Sequence, residues 1–349
     1  MKNNIEMYEV DCQTCSCVKN NDNTIFFWNS LNHSICSYDI LTNLIKEIIM
    51  VSLDDIGDFK GENIYKIQNS IYIADQICLR VLKIDLLSKE FKLFKASDSN
   101  FSEYLTFKNN EKIVFIPSNI SKGTFEFNSI TGEFTEVMWN KDNLSSVSRS
   151  YIENMGEYVI FSIYDSSLLI KMKKDDYSYE IINFEHVDSL GPVYSEHKDS
   201  IWCISNNNSL VHLQENAFER FKILDISIDN AFSKIVFIND KIVCIPSRLQ
   251  EIVLFDTIQH KVQKIKIDDE KLDTFGASCC YSYVICNNQI ILLPHIMSEV
   301  FKIDLSDYSF EKYKIKVNEN DIKQYMSGYY TRESGRNSLE CFIDLVSAF

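Results

Sequence analysis

"IDLLSKEFKLF", residues 84–94, contains the pattern on which the fold is read. An apolar residue and a carboxylate, Ile84-Asp85, are followed six residues on by Phe91 and nine residues on by Phe94. The step recurs at Tyr38-Asp39, Phe127-Asn128, Met172-Lys173, Val211-His212, Phe255-Asp256 and Ile303-Asp304. The first following column reads Ile45, Phe91, Phe134, Tyr179, Phe218, Val262 and Phe310. The second reads Ile48, Phe94, Val137, Ile182, Phe221, Ile265 and Tyr313. All are apolar or aromatic, and the period is about 44 residues, the spacing of propeller blades.

Upstream of each step lies a short apolar run: "IFFW" at 25, "IYIA" at 71, "IVFIP" at 113, "YVIFS" at 158, "IWCIS" at 201, "IVCIP" at 242 and "IILLP" at 290. Such runs of β-branched and aromatic residues are strands buried on both faces. Pro117, Pro246 and Pro294 fall four residues into their runs and should end the strand, since proline cannot donate to the ladder. A polar turn rich in Asn and Asp precedes each run, residue types that accept positive φ where glycine is scarce. Each unit therefore predicts four strands, and a ring of such units buries both faces of every sheet.

The reading is an all-β, seven-bladed β-propeller over 1–317 with a short C-terminal helix. The blades fall near 8–50, 56–96, 103–139, 146–185, 188–225, 229–268 and 274–317. Six or eight blades stay compatible with the unassigned ends, and a two-sheet sandwich is the alternative. Phe91, Phe134 and Phe310 are expected between blades, where truncation to alanine costs about 3–5 kcal/mol.

The step followed six residues later by an aromatic, in "IDLLSKEF", "FNSITGEF" and "IDLSDYSF", resembles a kelch-type repeat across residues 8–317. The chain departs from that family where a Gly-Gly doublet is expected, and it lacks the usual strand-D tryptophan. The resemblance implies the propeller architecture and carries no catalytic residues.

A formal charge of −15 argues against nucleic acid and anionic membranes, which require basic footprints. No apolar stretch reaches the length of a membrane-spanning helix. The start "MKNNIEMYEV" has no signal-like apolar segment, and the eleven scattered cysteines suit reduced thiols, so a cytoplasmic location is expected.

Loops following the apolar runs should expose Asn29, Asp75, Gln76, Ser118, Tyr164, Asp165, Asn206, Arg248 and His295. Loops between units add Asp54, Asp55, Asp58, Asp98, Arg149, Asp188, Asp268, Asp269 and Asp273. This acidic face, with Arg149 and Arg248 as exceptions, would favour a protein or peptide partner with basic groups. Asp75, Asp165, Arg248 and His295 could instead converge as an acid/base set for glycan or peptide chemistry. No phosphate-binding or zinc-protease motif occurs, and no cofactor is implied. His186, His197 and His260 read as solvated.

In "NSLECFIDLVSAF", Leu339, Phe342, Ile343 and Val346 form one face of an amphipathic helix over about 338–349. It packs on the propeller's own rim or docks on a partner. "DCQTCSC", residues 11–17, places Cys12, Cys15 and Cys17 on the first inner strand, with Cys15 and Cys17 on one face and near Cys280. Buried thiols are the expectation and no metal site is assigned. A non-catalytic scaffold is the first functional reading and a propeller enzyme the second.

Overall fold

A strand that is apolar at consecutive positions has no face to give to water, so something must cover it on both sides. The seven runs meet this requirement as the second strand of seven antiparallel four-strand blades, six of them complete sheets and the first extended to six strands by two further segments of the chain. The structure is a computed structural model. It describes residues 7–9, 12–14, 16–30, 32–96, 102–118, 123–138, 152–163, 166–184, 190–197, 200–205, 207–214, 217–225, 231–247, 249, 251–267, 281–294, 296–297 and 299–318. The architecture is a seven-bladed β-propeller. The helix expected over 338–349 lies outside the described residues.

The chain divides into two compact units. One holds blades one, two and seven. Blade one is Cys17–Asn21, Thr24–Asn29, Ser34–Asp39 and Leu44–Met50. Blade two is Gly61–Ile67, Ser70–Asp75, Arg80–Asp85 and Phe91–Lys95. Blade seven is Tyr281–Cys286, Gln289–Pro294, Glu299–Asp304 and Phe310–Lys314. In each blade these are strands A to D in chain order.

The two ends of the chain meet in this unit. Met7–Glu9 pairs antiparallel with Lys316–Asn318, which lies parallel beside strand D of blade one. Cys12–Gln13 pairs with Ile296–Met297.

The second unit holds blades three to six. Their strands are Tyr104–Asn109, Lys112–Pro117, Thr124–Asn128 and Phe134–Val137, then Ile152–Met155, Tyr158–Ser162, Leu168–Lys173 and Tyr179–Asn183. Blade five is Leu190–His197, Ser200–Ser205, Ser209–Gln214 and Ala217–Lys222. Blade six is Phe232–Ile238, Lys241–Pro246, Glu251–Asp256 and Lys261–Lys266. Pro117, Pro246 and Pro294 are the last residues of their strands.

The apolar member of the repeated step is buried in six blades: Tyr38, Ile84, Phe127, Met172, Phe255 and Ile303 are at most 1% exposed. The polar member closes the C–D hairpin. Asp85 Oδ1 accepts the backbone N–H groups of Leu87 and Ser88 at 2.9 Å each. Asp39, Asn128 and Asp256 each accept two N–H groups in the same way, and Asp304 accepts that of Ser306.

Four residues after the anchor, Asn43, Lys89, Gly132, Tyr177, His260 and Tyr308 have φ between 54° and 76°. Only Gly132 occupies this left-handed conformation without Cβ strain. The A–B turns Asn239-Asp240 and Asn287-Asn288 have positive φ at both residues, as two-residue hairpins require.

Two expectations need correction. Phe91, Phe134 and Phe310 are half-buried, because strand D is the outer strand of its sheet. In blade five the step lies two residues later than its sequence alignment. Ile201, the second residue of strand B, faces Leu213, and Leu213 faces Phe218. The hairpin there turns directly from Gln214 to Ala217, a shorter connection than Asp39 to Leu44 or Asp256 to Lys261.

Phe127→Ala should cost about 3–5 kcal/mol, and Phe134→Ala clearly less. Urea unfolding checks the order, and a larger loss at Phe134 would contradict the assigned layers.

Backbone N–H groups hold the carboxyl of Asp85 below the usual carboxylate range, Ser88 contributing most and then Leu87. Gln259 does the same for Asp256, and the Ser306 hydroxyl and N–H for Asp304. A depressed folded pKa gives stability that is complete above the unfolded value of about 4 and is lost as pH falls through the folded value. Replacing Asp85, Asp256 and Asp304 together by Asn should flatten the acid-side fall in urea midpoint. Asn128 shows that asparagine closes the same turn. An unaltered acid profile in the triple variant would exclude this role.

Candidate functional site

Among the residues expected on exposed loops, Asn29 and Asp75 instead close strand B of their blades and are 0% exposed. Asp75 Oδ2 accepts Nε and Nη2 of Arg80 at 2.7 and 2.5 Å. Arg80 also donates Nη1 to Asp58 Oδ1 at 2.7 Å, and its guanidinium lies 5.7 Å from the Phe59 ring centre. The hydrogen bond from Arg80 holds the Asp58 carboxyl below its ordinary value. Asp75 is thus committed to an internal ion pair.

Asp54 and Asp55 are exposed on the one-turn helix Leu53–Ile56, and Gln76 and Ser118 are half-buried. Asp98, Arg149, Tyr164, Asp165, Asp188, Asn206, Arg248, Asp268, Asp269, Asp273 and His295 lie outside the described residues. So do Leu339, Phe342, Ile343 and Val346.

The stretch 11–17 is not a single strand. Cys12 belongs to the short pair with Ile296–Met297, Thr14 Oγ1 donates to the Ser16 carbonyl at 2.9 Å, and strand A begins only at Cys17. Cys12, Cys17, Cys36 and Cys286 share one apolar cluster. Burial pushes the Cys17 thiol up, the nearby Cys286 adds to that, and a hydrogen bond with Ser282 opposes it. Cys15, Cys279 and Cys280 lie outside the described residues. Among the described residues, no group of three or more His, Cys, Asp or Glu side chains could hold a metal ion.

A cleft of about 400 Å³ opens between blades five and six. Cross-strand register brings Trp202, His212 and Glu219 side by side on one face of blade five. The His212 ring stacks on Trp202 with centroids 3.9 Å apart and planes 2° from parallel. Phe221 lies 4.9 Å from Phe255 and 4.6 Å from His260, the left-handed turn residue of blade six.

Phe237 and Asp240 line the opposite side. The Asp240 carbonyl accepts Thr257 N–H at 2.9 Å and its hydroxyl at 2.8 Å, which pins the turn. The shortened hairpin of blade five ends at Gln214, on the rim of the cleft.

Ser200 Oγ and His212 Nε2 are 3.1 Å apart, the start of a nucleophile and base arrangement. The carboxylates of Glu219 and Asp240 have no ion-pair partner among the described residues. The site therefore offers aromatic faces and two uncompensated acids: recognition chemistry for a cation.

The sequence places His212 at the polar member of the repeated step and reads His260 as solvated. A register-corrected column along strand C would have exposed the difference. Lys83, Lys171 and Lys302 occupy the third-residue pairing position that His212 holds in blade five.

The fold defines a class, the seven-bladed propellers, within which no protein-family model and no curated protein matches this sequence. Solved structures do match in fold. Virginiamycin B lyase from Staphylococcus aureus aligns with a TM-score of 0.64 and 10% identity, over 83% of this chain and 96% of that one. A streptogramin B lyase gives 0.63 and 13%, over 84% and 95%. YCF48, solved bound to D1 peptide, gives 0.62 and 10%, over 86% and 96%. These are seven-bladed propellers and not specifically kelch proteins, and at such identities the likeness shows the fold alone.

Asp75→Ala leaves the buried Arg80 guanidinium without its inner partner and should cost about 3–5 kcal/mol. Asp58 has a side chain 70% exposed, so Asp58→Ala should cost less than about 1 kcal/mol. Chemical unfolding of both variants checks this, and equal losses would refute the inner pair as the stabilising half.

Proposed function

We propose that this protein is a non-catalytic propeller scaffold that binds a protein or peptide partner. The observation that supports it best is the open aromatic cleft between blades five and six, with Glu219 and Asp240 uncompensated beside it. A chain with a formal charge of −15 repels acidic partners and favours one carrying basic groups. The acidic loop residues and the amphipathic face Leu339, Phe342, Ile343 and Val346 belong to the same proposal as further contact surfaces. A propeller of this architecture has been solved with a peptide bound, which makes the mode physically reasonable.

The second reading is an enzyme acting on a glycan or peptide. It drew on Asp75, Asp165, Arg248 and His295, and it is weakened because Asp75 is held by Arg80. A lyase fold among the similar structures keeps it as the alternative. A cytoplasmic location, with the thiols reduced, completes the proposal.

Panning random displayed peptides on the immobilised full-length chain tests the binding reading. Recovery of a peptide family that binds the folded protein saturably, and a bare immobilised surface not at all, is the expected outcome. Failure to enrich any peptide would argue against it.

A further inference from the structure

We infer that the cleft between blades five and six receives the ammonium group of a lysine from a partner peptide. This deepens the binding proposal and rests on it. The repeat itself supplies the argument, because the same place in two other blades is filled by a lysine of the chain.

In blade four, Lys171 faces Ile160 on strand B and Glu180 on strand D. Its Nζ lies 2.9 Å from Glu180 Oε1 and 5.2 Å from the centre of the Tyr158 ring, and the residue is 5% exposed. In blade seven, Lys302 faces Ile291 and Glu311. Its Nζ lies 4.1 Å from the centre of the Tyr313 ring and donates to the Ile40 carbonyl at 2.5 Å and to Asn43 Oδ1 at 2.9 Å, in the C–D turn of blade one. In both blades an ammonium sits between an aromatic ring and the acceptors around it.

Blade five keeps the strand-D carboxylate and, in Phe221, the strand-D ring of Tyr313, and it changes the lysine. Glu219 holds the strand-D place of Glu180 and Glu311, opposite His212. Phe221 and Phe237 supply the rings, and Asp240 adds a second carboxylate from the A–B turn of blade six. His212 is turned flat against Trp202 and is too short to place a cation between them. An ammonium on a flexible stem satisfies both carboxylates and meets the ring faces. It is also the group that the strongly negative chain would attract.

The probe is acetyl-Gly-Gly-Lys-Gly-Gly-amide, titrated into the full-length protein while the Trp202 indole resonance is followed by NMR. The controls carry norleucine or Nε-acetyl-lysine in place of lysine. Saturable binding of the lysine peptide is expected, about tenfold stronger than either control. Glu219→Gln should weaken it severalfold. His212→Lys should abolish it, because the chain then supplies its own ammonium as in blades four and seven, and the variant should melt no lower than the wild type.

Equal binding of the norleucine peptide, or undiminished binding to His212→Lys or to Glu219→Gln, would overturn the inference. Peptides recovered by panning that bind wild type and His212→Lys alike would remove the cleft and leave the scaffold reading standing. Failure of panning would remove the scaffold reading by itself.

Discussion

In two places a polar side chain on strand C reaches the C–D turn of the blade that follows and fixes how the two neighbouring sheets sit together. Apolar burial brings sheets together but does not choose how far one slides over the next. A directional bond from a fixed position to a fixed turn does. Lys302 makes it to Ile40 and Asn43, and Glu126 makes it to the hydroxyl of Tyr177. Burial lowers the Lys302 pKa, opposed by Glu311 and Asp39, which shows the cost of placing an ammonium there and the charges that offset it. The receiving turns are held in place by the left-handed residue and, in most blades, by the anchoring carboxylate or amide.

Blade five differs from blades three and seven at two connected points. Its C–D hairpin, with Gln214 paired to Ala217, is shorter, and its strand-C position carries His212. The imidazole stacks on Trp202 inside its own blade. Departures from local consistency in a repeat fold tend to mark function, because stability alone would favour the repeated solution. Here the departure leaves a cleft lined by rings and two acids, in a part of the fold where other blades are closed by their own lysines.

The repeat period, the strand order and the buried apolar runs were legible because they rest on periodicity, and burial on both faces imposes an unbroken apolar run. The turns were legible for a related reason: Asn and Asp tolerate positive φ, and a carboxylate at a strand end caps the following turn. The half-buried state of Phe91, Phe134 and Phe310 was not legible. An outer strand and an inner strand have similar composition, and only the sheet order says which is covered. Asp75 misled for another reason. A carboxylate at the end of a strand reads as a loop acid until its ion pair with Arg80, five residues away, is seen.

The sequence by itself determined the class of fold, the seven-fold recurrence of the step and the chemistry of the hairpins, since each follows from residue order over short distances, whereas six or eight blades stayed compatible until the strands were assigned to sheets. Only the tertiary structure decided the register of blade five, the burial of Asn29 and Asp75, and the meeting of Glu219 with Phe237 and Asp240 across two blades. A cleft exists only where side chains distant along the chain fail to fill the space between them. That shortfall depends on hairpin length and packing depth in three dimensions, and neither is written in the pattern of apolar and polar residues.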